Sequence, residues 1–216
     1  MKKTLIFDLD GTVLNTLKDL KISANIALNY YNYPQKSLEE IRNSVGDGLK
    51  MLIRRVLPMH TDEETVDAVL AKMKEHYRLH CHDATIPYPG IPELLARLKT
   101  EGYRIALVSN KADAMTKELH RVFFAETIDL AIGETERLQR KPAPDMVFEA
   151  LRLLGADKND AICIGDSEVD VLTAKSAGLP CLSVSWGFRS ETVLLAAGAK
   201  TVCHTPEELY KAIKGS

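Results

Sequence analysis

The chain has 216 residues, 45% of them hydrophobic and 27% charged, with a formal net charge of −2. Those proportions are ordinary for a globular protein, and the length suits one large domain or a domain carrying an insertion. So small a net charge offers no field for nucleic acid or an anionic membrane, and no run of about 18 apolar residues exists to span a bilayer.

In chain order, the first apolar run is TLIF (4–7), of strand length. It follows Lys2 and Lys3 but is cut by Asp8 where a signal peptide would continue, so a cytoplasmic protein is expected. Directly after it stand Asp8, Leu9, Asp10, Gly11 and Thr12. About seventy residues without a clear strand come next. Residues 16–31 are amphipathic, and SLEE (37–40) and TDEE (61–64) read as Ser/Thr-x-x-Glu capping boxes that start helices. GDGLKMLIRRVLP (46–58) reads as a glycine loop feeding a helix that Pro58 stops, residues 62–82 as a long helix, and PYPG (87–90) as a rigid turn.

From residue 90 helices and strands alternate. The helices are IPELLARLKTEG (91–102), ADAMTKELHRVFF (112–124), PDMVFEALRLLG (144–155) and SEVDVLTAKSAG (167–178). The strands are RIALVS (104–109), TIDLAI (127–132), AICIG (161–165), CLSVS (181–185) and TVC (201–203). Most of these strands are apolar without strict alternation, which suits strands covered on both faces. The expectation is an α/β fold, a doubly wound parallel sheet with a Rossmann-like core, with an all-helical insertion after the first strand. The core takes residues 1–14 and 86–216, the insertion 15–85. There is no internal repeat or low-complexity segment. Cys81, Cys163, Cys181 and Cys203 form no CxxC pair, and the last three sit in apolar runs where cysteine behaves as a small core residue, so no disulfide is expected.

In an open parallel sheet, ligands bind at the carboxyl ends of the strands, near the reversal of strand order. Here TLIF ends in Asp8 and Asp10, RIALV in Ser109-Asn110-Lys111, and AICIG in Asp166-Ser167-Glu168-Val169-Asp170; Arg140-Lys141-Pro142 follows TIDLAI. Each alone has an ordinary structural reading: a DxD at a strand end, a Ser-Asn turn, a loop lysine, a helix N-cap with acidic first-turn residues. Gathered on one rim, they describe something else. Asp8, Asp10 and Asp166 would repel one another, and a hard cation with oxygen ligands, Mg²⁺ rather than Ca²⁺, relieves that repulsion. Gly11 permits positive φ and lets backbone amides approach an anion, while Lys141 adds a positive charge and Ser109 a hydroxyl. Together they suit a phosphoryl group.

These four segments resemble the four motifs of the haloacid dehalogenase-like superfamily of phosphohydrolases, over nearly the whole chain. The resemblance implies that Asp8 is the nucleophile and Asp10 the general acid/base. It also implies Ser109 in the second motif, Lys141 in the third, and Asp166 with Asp170 in the fourth. Asp8, Asp10 (through its backbone carbonyl), Asp166 and Asp170 would serve the Mg²⁺ site, with Asp170 holding a metal-bound water or orienting Lys141. The helical insertion is similar to a cap of the first cap class. VGDGLKMLIRR (45–55) and VSNK (108–111) are similar to the phosphoglycolate phosphatase group, which puts Ser109, Asn110 and Lys111 at the phosphate or substrate, beside Gly11 of the first motif. Arg55 falls on the family's arginine and would bind a substrate carboxylate. An acid at Asp10 favours phosphate chemistry over carbon–halogen cleavage, which has no alkoxide to protonate.

Two readings remain open for Lys50, Arg54 and Arg55: a substrate-reading edge behind the Gly46-Asp47-Gly48 loop, or a solvated helix face. In HYRLHCHD, His76 and His80 have the i,i+4 spacing of a metal pair, but the segment reads better as the end of a helix, with His82 and Asp83 beginning a hinge. Trp186-Gly187-Phe188-Arg189, after the fifth strand, is placed to line the rim near the pocket, with core packing the expected role of its Trp and Phe. The function implied is Mg²⁺-dependent hydrolysis of a small phosphorylated metabolite through an aspartyl-phosphate, 2-phosphoglycolate first, by a monomer or homodimer. A sugar phosphomutase of the beta-phosphoglucomutase kind, or a pyrophosphatase or nucleotidase, would use the same core. A receiver-like phosphoacceptor fits less well, because that fold has no such insertion, and a noncatalytic relative would be expected to have lost Asp8 or Asp10.

Overall fold

The structure is a computed structural model and describes residues 3–216. The chain forms two compact units, one from residues up to Leu14 together with Pro87–Ser216, the other Asn15–Ile86. Thr4–Phe7 forms β1; Leu14–Asn15 (β2) and Ile86–Pro87 (β3) pair as a short ribbon where the chain leaves the first unit and returns. The second unit contains helices α1 (Leu17–Tyr30), α2 (Leu38–Ser44), α3 (Gly48–Val56) and α4 (Glu63–His80).

The first unit continues with α5 (Ile91–Thr100), β4 (Arg104–Ala112), α6 (Asp113–Phe123), β5 (Leu130–Glu134), α7 (Asp145–Leu154), β6 (Ala161–Gly165), α8 (Glu168–Ala177), β7 (Cys181–Val184), α9 (Glu191–Ala196), β8 (Val202–Cys203) and α10 (Pro206–Lys214). Its sheet has six strands in the order β5-β4-β1-β6-β7-β8, all neighbours parallel. The chain builds outward from β1 on one side, then crosses back and builds outward on the other, which is the doubly wound order expected from the alternation. Side chains alternate across the sheet. Ile6, Ala106, Val108, Ile132 and Cys163 join Met146, Val147 and Ala174 in one core. Leu5, Phe7, Ile105 and Leu107, out of phase with them, are equally buried. β1 is thus covered on both sides, which explains its unbroken apolar run Leu5-Ile6-Phe7.

The sequence-based boundaries hold at TLIF and AICIG and move elsewhere for local reasons. The strand expected at 127–132 starts at Leu130, because the amides of Thr127 and Ile128 both donate to Phe124 O and close the end of α6. β4 runs past 109 to Ala112, with an irregular register against β5 between Val108 and Ala112. Ser109, Asn110 and Lys111 therefore lie within an irregular strand end, a common device beside functional sites. SLEE forms the expected capping box between Ser37 and Glu40. TDEE does not: Asp62 caps α4 by accepting from Thr65 N, and the Thr61 hydroxyl donates to Pro58 O. Helices α9 and α10 were not anticipated, although Thr205-Pro206-Glu207-Glu208 carries the signal, with the Thr205 hydroxyl accepting from Glu208 N. All four cysteines are free thiols, and among the described residues no helix is long and apolar enough to cross a membrane.

Within the helical unit, Asp19 on α1 is 2% exposed. Its carboxylate accepts from Ala84 N (3.0 Å to each oxygen) and Thr85 N (2.7 Å), tying α1 to the segment that follows α4. Replacing it with Ala strands the buried amide of Thr85 and the half-buried amide of Ala84, so Asp19→Ala should lower the unfolding free energy by about 1–3 kcal/mol. Urea denaturation reads this directly, and a loss below about 0.5 kcal/mol would mean the amides find other partners.

Candidate active site

β1 ends by donating Asp8 N to Ile164 O at 2.8 Å, so Asp8 is held beside the end of β6. The chain then turns sharply: Leu9 O accepts from Thr12, Val13 and Leu14, and Gly11 N donates to Leu14 O. This turn parts the two carboxylates of FDLDGT. Asp8 pairs with Lys141 Nζ at 2.6 Å, while Asp10 pairs with Lys111 Nζ at 2.9 Å. Lys141 Nζ also lies 2.6 Å from Asp170 Oδ1, so one buried ammonium bridges the ends of β1 and the start of α8.

Asp166, at the end of β6, completes the group. Asp8, Asp166 and Asp170 each offer a carboxylate oxygen within 4.8 Å of the others, and they are the one set of three or more such residues found among the described residues. Asp10 contributes no side chain to it. The Asp166 carboxylate is 2% exposed and accepts from the Thr12 hydroxyl (2.9 Å to Oδ1) and from Phe188 N (2.7 Å to Oδ2). Gly11, at φ +97°, approaches it so closely that a Cβ would stand 2.3 Å from Oδ2; a Cβ on Gly187 would meet the same oxygen at 2.3 Å. Gly11 is needed for this contact as well as for its backbone conformation. Ser167 N and Oγ both donate to Asp170 Oδ2, fixing that carboxylate at the start of α8.

Other residues anticipated from sequence take particular places. Asn110 clasps the backbone of Lys141 at two points, accepting from its N–H at 2.8 Å and donating to its C=O at 3.1 Å. It positions Lys141 where the sequence had suggested a phosphate contact. The buried Ser109 hydroxyl accepts from Lys111 N at 3.2 Å. In the helical unit, Arg55 donates to Ser44 O at 3.0 Å and pairs with Asp47. Lys50 pairs with Asp67 at 2.6 Å, and Arg54 with Glu63. His76 bonds Ser23 Oγ at 3.0 Å and stacks on His80 at 4.2 Å, while His80 bonds Asp83 at 2.7 Å.

Thr12, Ser167 and the contacts of the Trp186–Phe188 segment with Asp166 are what the sequence reading missed. Thr12 stood in the quoted motif, and Ser167 is an N-cap by pattern. The Trp186–Phe188 segment does lie at the rim, where its backbone and its glycine enclose Asp166, while the Phe188 side chain is buried in the core as expected.

The electrostatics follow from this crowding. Burial raises the Asp8 pKa well above its usual value; Lys141 opposes this, and Asp170 and Asp166 add to it. Burial, then Asp170, pushes Asp166 up to about 7 against the hydrogen bonds from Phe188 and Thr12. Burial disfavours the Lys141 ammonium, but Asp170 and Asp8 outweigh it and raise its pKa overall. With all three carboxylates ionised, one lysine leaves the cluster two negative charges in excess. A hard divalent cation with oxygen ligands supplies the missing charge, so the donor set fits such an ion. The folded pKa of Asp166 lies above its ordinary 3.8, so its stabilising contribution is full below that value and is lost as pH rises through about 7. The chelator-treated protein should therefore lose Tm between about pH 5 and about pH 8, by roughly 2–4 °C per kcal/mol. Added divalent cation should restore it most at the upper end. A Tm that stays level across that range without metal would contradict the cause assigned.

Residues 5–184 match the family model described as haloacid dehalogenase-like hydrolase. A phosphoglycolate phosphatase of Pseudomonas savastanoi pv. phaseolicola is 33% identical over 193 residues, covering 87% of this chain and 71% of that one. One from Caulobacter vibrioides is 32% identical over 213 residues, covering 97% and 90%. A crystal structure from Lactobacillus delbrueckii subsp. bulgaricus, provisionally named a phosphoglycolate phosphatase, has a TM-score of 0.95 at 34% identity and covers 99% of each chain. The fold, the rim of strand ends and these matches agree: the chain belongs to the haloacid dehalogenase-like hydrolases.

Proposed function

We propose that the protein is a Mg²⁺-dependent phosphatase that hydrolyses a small phosphorylated metabolite, 2-phosphoglycolate foremost, through an aspartyl-phosphate on Asp8. The observation that carries this reading is the division of the two carboxylates of FDLDGT between two lysines. Asp8 lies in the cation-fitting cluster with Lys141, and Asp10 lies outside it with Lys111. That is the arrangement a nucleophile and a separate proton carrier require.

In this reaction a carboxylate oxygen of Asp8 attacks phosphorus in line with the leaving oxygen, forming a mixed anhydride and releasing the alcohol. Asp10 gives its proton to the departing alkoxide, then takes one from the water that opens the anhydride and returns Asp8 and inorganic phosphate. Its side chain is 21% exposed against 10% for Asp8, open enough to meet both leaving group and water. Lys111 holds the Asp10 carboxylate in place. Lys141, clasped by Asn110, offsets charge on Asp8 and on the phosphoryl oxygens. Ser109 stands at the end of the neighbouring strand to donate to a non-transferring oxygen. Mg²⁺, held by Asp8, Asp166 and Asp170, would neutralise the repulsion between the Asp8 carboxylate and a phosphate dianion. The relatives named for phosphoglycolate support a substrate carrying a carboxylate. Arg55 is its proposed reader in the cap, since its five donors leave capacity beyond Ser44 and Asp47.

Asp8→Asn should lower kcat/KM by at least about a thousandfold, ~4 kcal/mol; full activity in that variant would remove Asp8 as nucleophile. Asp10→Asn should slow alkyl phosphates, whose leaving groups need a proton, far more than aryl phosphates. The substrate itself is tested by kcat/KM with Mg²⁺ across 2-phosphoglycolate, sugar phosphates, nucleotides and pyrophosphate. A preference for phosphoglycolate of about a hundredfold, ~2.7 kcal/mol, that collapses in Arg55→Met supports the assignment. A flat profile leaves the phosphatase chemistry and discards the substrate.

A further inference from the structure

The slot around Asp166 is closed from two sides by segments far apart in sequence. Gly11 and Thr12 follow β1; Gly187 and Phe188 follow β7. Each segment brings one glycine against Asp166 Oδ2 and one hydrogen-bond donor to the carboxylate, Thr12 Oγ to Oδ1 and Phe188 N to Oδ2. A carboxylate's last torsion is broad when unconstrained. Here both oxygens are fixed, and the lone pairs left over are the ones available to a cation. The two segments are also joined directly: the half-buried Trp186 donates its indole Nε1–H to Thr12 O at 3.0 Å. A second fastening lies at the other end of the β7 loop, where Arg189 Nε reaches Glu168 on α8 at 3.0 Å.

We propose that Trp186 is a positioning residue for the cation: its indole staples the β7 loop to the β1 loop and so holds the Asp166 carboxylate aimed at the ion. This rests on the reading of Asp8, Asp166 and Asp170 as a divalent-cation site. Thr12 is fully buried, so a phenyl ring in place of the indole leaves its carbonyl without that donor and removes this direct link between the loops. Both donors to Asp166 then depend on loops that are free to part. Preorganisation is lost in the site before any contact to the ion is touched. A tryptophan that only filled space would be replaced by phenylalanine with a cost in stability and none in cation affinity.

The test uses Mn²⁺ as probe, titrated into the metal-free full-length protein and followed by the electron paramagnetic resonance signal of the free ion. Trp186→Phe should raise the Mn²⁺ dissociation constant about tenfold, and its activity deficit should be largely recovered at high Mg²⁺. Thr12 gives a second variant pair, in which Thr12→Val weakens Mn²⁺ comparably and Thr12→Ser, which keeps the hydroxyl, does not. Mn²⁺ affinity within about twofold of the parent in Trp186→Phe overturns the staple, whatever Thr12→Val does. The staple and the proposed function fail separately. A chain that binds Mn²⁺ with this dependence yet hydrolyses no phosphomonoester retains the staple and loses the function. A chain that hydrolyses phosphoglycolate with indifferent Mn²⁺ affinity does the reverse.

Discussion

The Lys141 ammonium stands 2.6 Å from both Asp8 and Asp170, and the arrangement of the sheet unit around it follows from what that contact leaves uncompensated. Three buried carboxylates within 4.8 Å of one another cannot be held ionised by one lysine. The remaining repulsion is distributed over hydrogen bonds from three separate segments: Thr12 after β1, Ser167 at the start of α8 and Phe188 after β7. None of these segments could be moved alone. Asn110 fixes the backbone from which Lys141 extends, so the charge balance also depends on a β4 residue through two bonds to a loop beyond β5.

The strand order makes this convergence possible. β1 sits in the middle of the sheet, between β4 and β6, and the chain changes direction of growth around it. The carboxyl ends of β4, β1 and β6 therefore open side by side, and residues more than 150 positions apart, such as Thr12 and Asp166, come within 2.9 Å. A sheet wound in one direction only would place its first strand at an edge and lose one of these neighbours. The run Leu5-Ile6-Phe7 of β1 is the same constraint seen from below: flanked on both edges and covered on both faces, the strand carries no polar side chain between Thr4 and Asp8.

How far all this can be read from sequence depends on range. TLIF and AICIG were legible to the residue, because each is a short run of strand length and composition ended by a carboxylate. The 127–129 boundary was not, because Thr127 and Ile128 are good strand residues that the end of α6 uses for its own closure. TDEE was misread for a similar reason: Thr61 and Asp62 are both competent caps, and Thr61 is taken by Pro58 O. In the site, the residues that carry charge could be picked out, since Asp8, Lys141, Asp166 and Asp170 each follow a strand. Those that act by geometry were legible only in part: Gly11 and Asn110 were singled out, Asn110 for a different task, and Gly187 and the Phe188 amide were not. Gly187 matters because it has no Cβ, Phe188 because of its N–H, and Asn110 because of where Lys141's backbone runs; in each case the side chain's own chemistry says little. Arg55 stands between the two groups, chosen by resemblance and found in contact with Ser44 and Asp47, its nearest partners in its own unit.

FDLDGT itself shows how much a single turn can decide. Alternation along an extended strand would send Asp8 and Asp10 to one side and into one site. Instead the amides of Thr12, Val13 and Leu14 converge on Leu9 O, and the chain has left the strand before Asp10 can join the cluster. Were both side chains in it, four carboxylates would face one ammonium, and the excess charge would exceed what a divalent cation offsets. The turn delivers Asp10 to Lys111, a lysine of its own, and lets Gly11 close on Asp166. Two identical side chains thereby acquire different neighbours and different exposure, which is the physical condition for giving acids of one kind two tasks.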